Sequence, residues 1–194
     1  MNEKTELLEM ISGKNRGLLS SEADRLAILL AIENLEKLNP NPQPLNDASL
    51  IEGDWRLLYT TSRALLGLDR IPVFNIGQIY QSIRTRDMRI YNIAEVLGIP
   101  FLESIVSVCA IYTPVSEKRV QVKFDRSIVG LQKLINYISP SQFIDLIEHD
   151  QKFPPLDFSI GNREQKGWLE ITYLDQDLRV GRGNEGSLFV LTKN

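Results

Sequence analysis

WLEITYLDQDLRVGRGNEGSLFVL, Trp168 to Leu191, carries three runs of β-branched, aromatic and aliphatic residues separated by only a few turn formers. This spacing predicts strands at 167–174, 177–182 and 187–192 joined as hairpins, because so few residues cannot hold the helix that a parallel crossover needs. The last connection, GRGNEG (Gly181 to Gly186), has the glycine spacing of a dinucleotide phosphate loop. Such a loop must open a helix and be followed about 20 residues on by a ribose-binding acid. Only SLFVLTKN follows, without helical periodicity, so the glycines read as a hairpin turn.

The same texture extends back to Leu50, with strands predicted at 54–62, 75–83, 88–96, 103–113, 118–126 and 156–161 and short turns at TPVSEK and NREQK. Eight or nine such strands in sequential hairpins favour a closed up-and-down barrel, since closure removes exposed edges. Residues 127–150 break the alternation and read as a loop with one or two short helical turns. Ahead of the strands, 4–12 and 21–38 read as helices. The second has Ser20 or Ser21 as cap, Glu22 and Asp24 in its first turn, and apolar residues at 26, 29, 30 and 35. Its end is set by NPNPQPLND (39–47), whose prolines lack the N–H that a helix or central strand requires. The expected organisation is mainly β with N-terminal helices (α+β): a helical prefix and Pro-rich linker, 1–47, and a barrel, 48–194, in one compact unit.

A net charge of −3 over 194 residues argues against binding nucleic acid by bulk electrostatics, and RTRDMR (84–89) reads as a solvated turn. Cys109 is the single cysteine, which excludes an intramolecular disulfide and predicts a buried thiol in a reducing compartment. MNEKTELLEM is charged from its third residue, unlike a signal or transit peptide. With no uncharged apolar run of about 18 residues, the chain is expected not to be secreted and to meet membranes only peripherally. His149 is the one histidine, without companions at ligand spacing. No nucleophile motif is present, so no catalytic residue, metal or cofactor is expected.

The Gly-x-Trp of GDWRLLYTTS (53–62), the stretch GLDRIPVFNIGQIYQSI (67–83) and the late YLDQDLRVGRG block together resemble the plastid lipid-associated proteins, or fibrillins, over residues 5–192. The resemblance implies a lipocalin-like barrel and a non-enzymatic, peripheral thylakoid protein linked to photoprotection. It would handle a prenylquinone, carotenoid or lipid, in part through contact with a biosynthetic enzyme. The short N-terminus points to a cyanobacterial-type member, on the cytoplasmic side of the thylakoid membrane or in the cytoplasm.

Period-two alternation puts Trp55, Leu57, Tyr59 and Thr61 inside the barrel, with Ile76 and Tyr80, Val120, Val122 and Phe124, and Phe189 and Leu191. The ligand-binding candidates are Trp55, Tyr59, Tyr80, Phe124, Arg179 and Phe189. Two readings stand: an aromatic-lined cavity, or side chains that simply fill a barrel of this size. The lipocalin likeness implies an arginine from the last strands, Arg179 or Arg182, over Trp55, as closure latch or ligand contact. Asp175 and Asp177 offer a turn network with Arg179, or headgroup recognition. RALLGLDRIPVF (63–74) and IVGLQKLINYI (128–138) would dip into a bilayer or fold as lids. In the alternative, a filled barrel acts as a scaffold, recruiting an enzyme through helix 21–38 or these loops.

Overall fold

The computed structural model describes residues 2–62, 75–98, 101–149, 151–160 and 166–194. Helices α1 (Glu3–Ile11) and α2 (Glu22–Glu36) open the chain, and α3 (Ala48–Ile51) leads into the sheet. The Asn2 side chain caps α1, and Ser21 and Asp24 form a reciprocal capping box on α2. The strands are β1 (Gly53–Thr60), β2 (Asn75–Arg84), β3 (Arg89–Leu97), β4 (Ser104–Pro114), β5 (Arg119–Leu131), β6 (Pro155–Ser159), β7 (Lys166–Leu174), β8 (Leu178–Gly183) and β9 (Leu188–Lys193).

These strands form one antiparallel sheet closed into a ring, with β1 paired to both β2 and β9 and β4 paired to β5. The first part of β5 pairs with β7 and the second with β6. The nine strands therefore fill eight positions, β6 and β7 lying in line. This is the expected barrel.

One end is closed. Leu45 and Leu50, from a 3-10 turn (Pro44–Asn46) and α3, pack against the interior cluster of Trp55, Leu57, Ile83, Ile90, Ala110 and Leu174. The indole Nε1 of Trp55 donates to the Ile51 carbonyl at 2.9 Å. At the other end, the mouth, β1, β3, β5 and β8 finish and β2, β4, β6 and β9 begin.

Much of the outer wall is covered. On one side α1 and α2 bury Leu7, Ile11, Ile28, Ile32 and Leu35 against Tyr59, Tyr173, Leu178, Val180, Leu188 and Val190. On the other, α4 (Pro140–Glu148) lays Phe143, Ile144 and Ile147 over Tyr91, Ile93, Ile105, Cys109 and Ile128. Residues 127–150 are thus not merely a loop. The strand β5 runs on to Leu131, and a nine-residue helix follows, with Ser139 capping it and Pro140 in its first turn. A covered outer face carries apolar residues too, which erases the alternation a half-buried strand would show.

Bulges correct three expected inward residues, Tyr59, Thr61 and Tyr80. The pairing of β1 with β9 shifts between Leu57 and Tyr59, and that of β2 with β3 between Ile76 and Ile79. One extra residue flips everything beyond it to the opposite face. Tyr59 consequently lies on the outer wall under the helical prefix, and Tyr80 lies under α4. Thr60 is buried and hydrogen-bonds the Leu188 carbonyl, whereas Thr61 is exposed.

Tyr59→Ala should lower unfolding free energy by about 3 kcal/mol, as for other buried aromatics, measured by urea denaturation. An inward Tyr59 lining an open cavity would lose much less.

Candidate ligand-binding lumen

Near the closed end the lumen is packed; toward the mouth it is not. Val106, Val108, Phe124, Val129, Leu169 and Phe189 face inward and each keeps part of its surface accessible. Their outward neighbours Ile105, Cys109 and Ile128 are fully buried. In β6, Leu156 and Phe158 stand opposite Val129 and Ser127 on the inner face and are 53% and 52% exposed. Solvent reaches apolar inner residues only where the described side chains leave the lumen unfilled.

The floor is polar and charged. Arg179 is 1% exposed, and its guanidinium lies 4.8 Å from the centre of the Trp55 ring. Lys193 Nζ is 5.3 Å from the same ring and donates to the Ser49 and Leu50 carbonyls. These cation–π contacts are each worth about 0.5–2 kcal/mol. Arg179 Nη2 donates to Gln81 Oε1 at 2.7 Å, and Gln81 Nε2 donates to Asn92 Oδ1 at 3.0 Å. Burial pulls the Arg179 pKa down to about 9, which leaves the group charged at neutral pH.

Of the six candidate residues, Trp55, Phe124, Arg179 and Phe189 face the lumen, while Tyr59 and Tyr80 face the outer wall. Arg182 projects outward and makes two hydrogen bonds to Glu36, tying β8 to α2. Asp175 belongs to a turn network without Arg179. It accepts from the backbone N–H groups of Asp177 and Leu178, the Tyr173 hydroxyl and Lys4 Nζ, and Lys4 also pairs with Asp177. Burial alone would raise the Asp175 pKa, but Lys4 and the converging donors hold it well below the usual carboxylate range.

The glycines of the late block have a steric role. A Cβ on Gly181 would stand 3.3 Å from Leu169 Cδ1, and one on Gly183 would stand 3.2 Å from the Phe189 ring. Both are inward positions over which larger side chains lie, and Asn184–Gly186 is the turn of the hairpin. His149 is exposed, with its ring against the Asp145 carbonyl, and no metal-binding cluster occurs among the described residues. Burial pushes the Cys109 thiol up to about 11, so it is inert. A hollow of about 400 Å3 between linker and β7 is rimmed by Glu36, Lys37 and Lys118, a lining unlike an apolar site.

Sequence reasoning missed Gln81, Asn92, Leu156 and Phe158. The signal for the first two was available: Gln81 pairs with Trp55 and Asn92 with Gln81, so once Trp55 is inside, both amides are. Segment 63–74 lies outside the described residues. In 128–138, Ile135 is tucked under α4 on the outer wall, leaving Leu134 and Ile138 exposed, so this stretch does not form a lid.

The PAP_fibrillin family profile matches residues 1–192. The chain belongs to the PAP_fibrillin family. Within the family's curated proteins it is 33% identical to a chloroplastic light-induced protein of Solanum tuberosum, over 98% of this chain and 66% of that one. It is 31% identical to a chromoplast-specific carotenoid-associated protein of Cucumis sativus, over 98% of this chain and 67% of the relative. Plastid lipid-associated protein 1 of Brassica campestris is 32% identical, over 98% and 68%. The chain spans about two thirds of the length of these relatives. No solved structure is significantly similar. No helix among the described residues is long and apolar enough to cross a membrane.

Because the Asp175 pKa is depressed in the folded state, its contribution is complete above the ordinary carboxylate value of about 3.9 and is lost as pH falls toward the folded value. Asp175→Asn should lower the urea midpoint at pH 7, and the gap to wild type should begin to narrow only as pH falls below about 4.

Proposed function

We propose that this protein is a non-enzymatic carrier that takes an apolar isoprenoid or lipid into the barrel through its mouth and delivers it at a thylakoid membrane surface. The observation that carries the reading is the accessible apolar inner face of Val106, Val108, Phe124, Val129, Leu156, Phe158 and Phe189. Covering such surface stabilises a complex by about 25 cal/mol per Å2 of apolar area removed from water. Of the six candidates, Phe124 and Phe189 are the proposed direct contacts, and Trp55 and Arg179 support the floor from beneath without exposed surface of their own. The names of the relatives, carotenoid-associated in one and plastid lipid-associated in another, support a prenylquinone, carotenoid or lipid as cargo. A carrier of light-absorbing or redox-active molecules fits a role in photoprotection.

Membrane contact follows from the mouth. Leu97, Phe101, Leu102, Leu134 and Ile138 are all exposed there, Phe101 at 69% and Ile138 at 80%. Lys133 Nζ lies 3.9 Å from the Phe101 ring centre, a pairing of cation and apolar side chain suited to a lipid headgroup boundary. A second reading is favoured by Leu26 and Leu30, exposed one turn apart on α2: an outer face that recruits a biosynthetic enzyme.

Phe158→Glu, at a half-exposed position, should keep the fold and weaken binding of diphenylhexatriene, measured by its fluorescence, by about tenfold or more. Unchanged binding would move the bet to the scaffold. Leu134→Glu with Ile138→Glu should abolish cosedimentation with phosphatidylcholine–phosphatidylglycerol vesicles and leave stability within about 0.5 kcal/mol; retained cosedimentation would remove the mouth from membrane contact.

A further inference from the structure

The floor of the lumen holds a charge that has no counter-charge among the described residues. Arg179 is buried, its hydrogen-bond partner among the described residues is the neutral Gln81 amide, and its Nη1 is buried without a partner among them. Desolvating a guanidinium this way is costly, and the face of Trp55 offsets only part of the cost. Other buried or half-buried arginines of this chain meet carboxylates: Arg126 meets Asp157, Arg89 meets Asp125 and Arg84 meets Asp54.

The polarity of the hydrogen-bond chain leading away from Arg179 is fixed by chemistry. A guanidinium can only donate. Gln81 must therefore present its oxygen to Arg179 and turn its NH2 group outward, toward Asn92 Oδ1. Asn92, with its oxygen occupied, is left with Nδ2 as the terminal group. No hydrogen bond from Nδ2 occurs among the described residues, and Asn92 keeps part of its surface accessible on the inner face. The relay thus projects the charge of a buried cation as an N–H donor directed toward the lumen. Aligned donors polarise one another in a low-dielectric site.

We propose that Asn92, backed by Gln81 and Arg179, is the polar anchor of the lumen and holds a carbonyl or carboxylate oxygen at one end of an otherwise apolar ligand. The inference rests on the lumen being a binding site and adds the ligand's polarity: an acceptor head enters first, and the apolar body lies along Phe124, Phe158 and Phe189. A ligand whose head can only donate, such as an alkylammonium, is disfavoured by the same relay.

The test is displacement of diphenylhexatriene by four competitors that share a twelve-carbon chain: lauric acid, methyl laurate, dodecane and dodecylamine. Lauric acid and methyl laurate should compete about tenfold better than dodecane, the worth of one hydrogen bond, and dodecylamine worst. Asn92→Leu, at a half-exposed position, should erase the preference and leave dodecane unchanged. Asn92→Asp, which replaces the terminal donor by an acceptor of the same shape, should reverse the order of acid and amine. Arg179→Met should also erase the preference without lowering the melting temperature, whereas a closure latch would lose stability. Equal competition by acid, ester and hydrocarbon in the wild type, or a preference that survives Asn92→Leu, overturns the anchor while leaving the lumen reading intact. Failure of diphenylhexatriene to bind wild type overturns both.

Discussion

The fold depends on β1 being hydrogen-bonded along both edges, to β2 and to β9. That double pairing joins the start of the barrel to the last strand of the chain, so Trp55 and Arg179, 124 positions apart in sequence (179 minus 55), meet across the interior. Without closure the late hairpin would present an open edge, and the inner faces would have nothing opposite them. The helical prefix reinforces the same seam from outside. Its buried leucines and isoleucines rest on Tyr59, Val180, Leu188 and Val190, and the turn at Asp175 accepts from Lys4 in α1.

Within that ring, bulges decide which chemistry the lumen receives. Register shifts occur in the pairings of β1 with β9, β2 with β3, β4 with β5, and β7 with β8. Two of them rotate tyrosines out to the helix-covered walls, and the one in β2 brings Ile79 in. The shift in β7 sends Tyr173 outward and Leu174 inward, opposite Arg179. The result is a wall that is apolar on both faces over much of its area, with the polar groups of the interior concentrated near the closed end.

The strand order was legible because turn formers punctuate the sequence and each hairpin is local; the predicted strand starts agree with the observed ones within about two residues, inside the usual boundary error. Helix α2 was legible for its cap but not for its buried face: of the apolar residues at 26, 29, 30 and 35 only Leu35 is buried, and Ile28 and Ile32 complete the packed stripe while Leu26, Leu29 and Leu30 are exposed. Three features were hidden for physical reasons. A strand covered on both faces does not alternate, so the end of β5 and the nine-residue helix α4 above it were read as a loop with one or two short helical turns. A bulge inserts one residue with no compositional mark, so Tyr59 and Tyr80 were assigned to the wrong face while Trp55, Phe124 and Phe189, on the expected side of any shift, were placed inside. The importance of Gln81 and Asn92 is invisible until register puts them beside Trp55, because glutamine and asparagine in a strand ordinarily signal solvent.

The division of one ring position between β6 and β7 has a mechanical consequence. Around the closed end every strand is clamped on two sides, while β6, five residues long, is paired on one edge only among the described residues. The container is therefore stiff at its base and compliant at its rim. Widening the upper wall on that side requires no shearing of the closed hydrogen-bond circuit, because that circuit runs through β7 below. On the proposed carrier reading, such a barrel would position a ligand from the bottom and accommodate differences in its girth at the top.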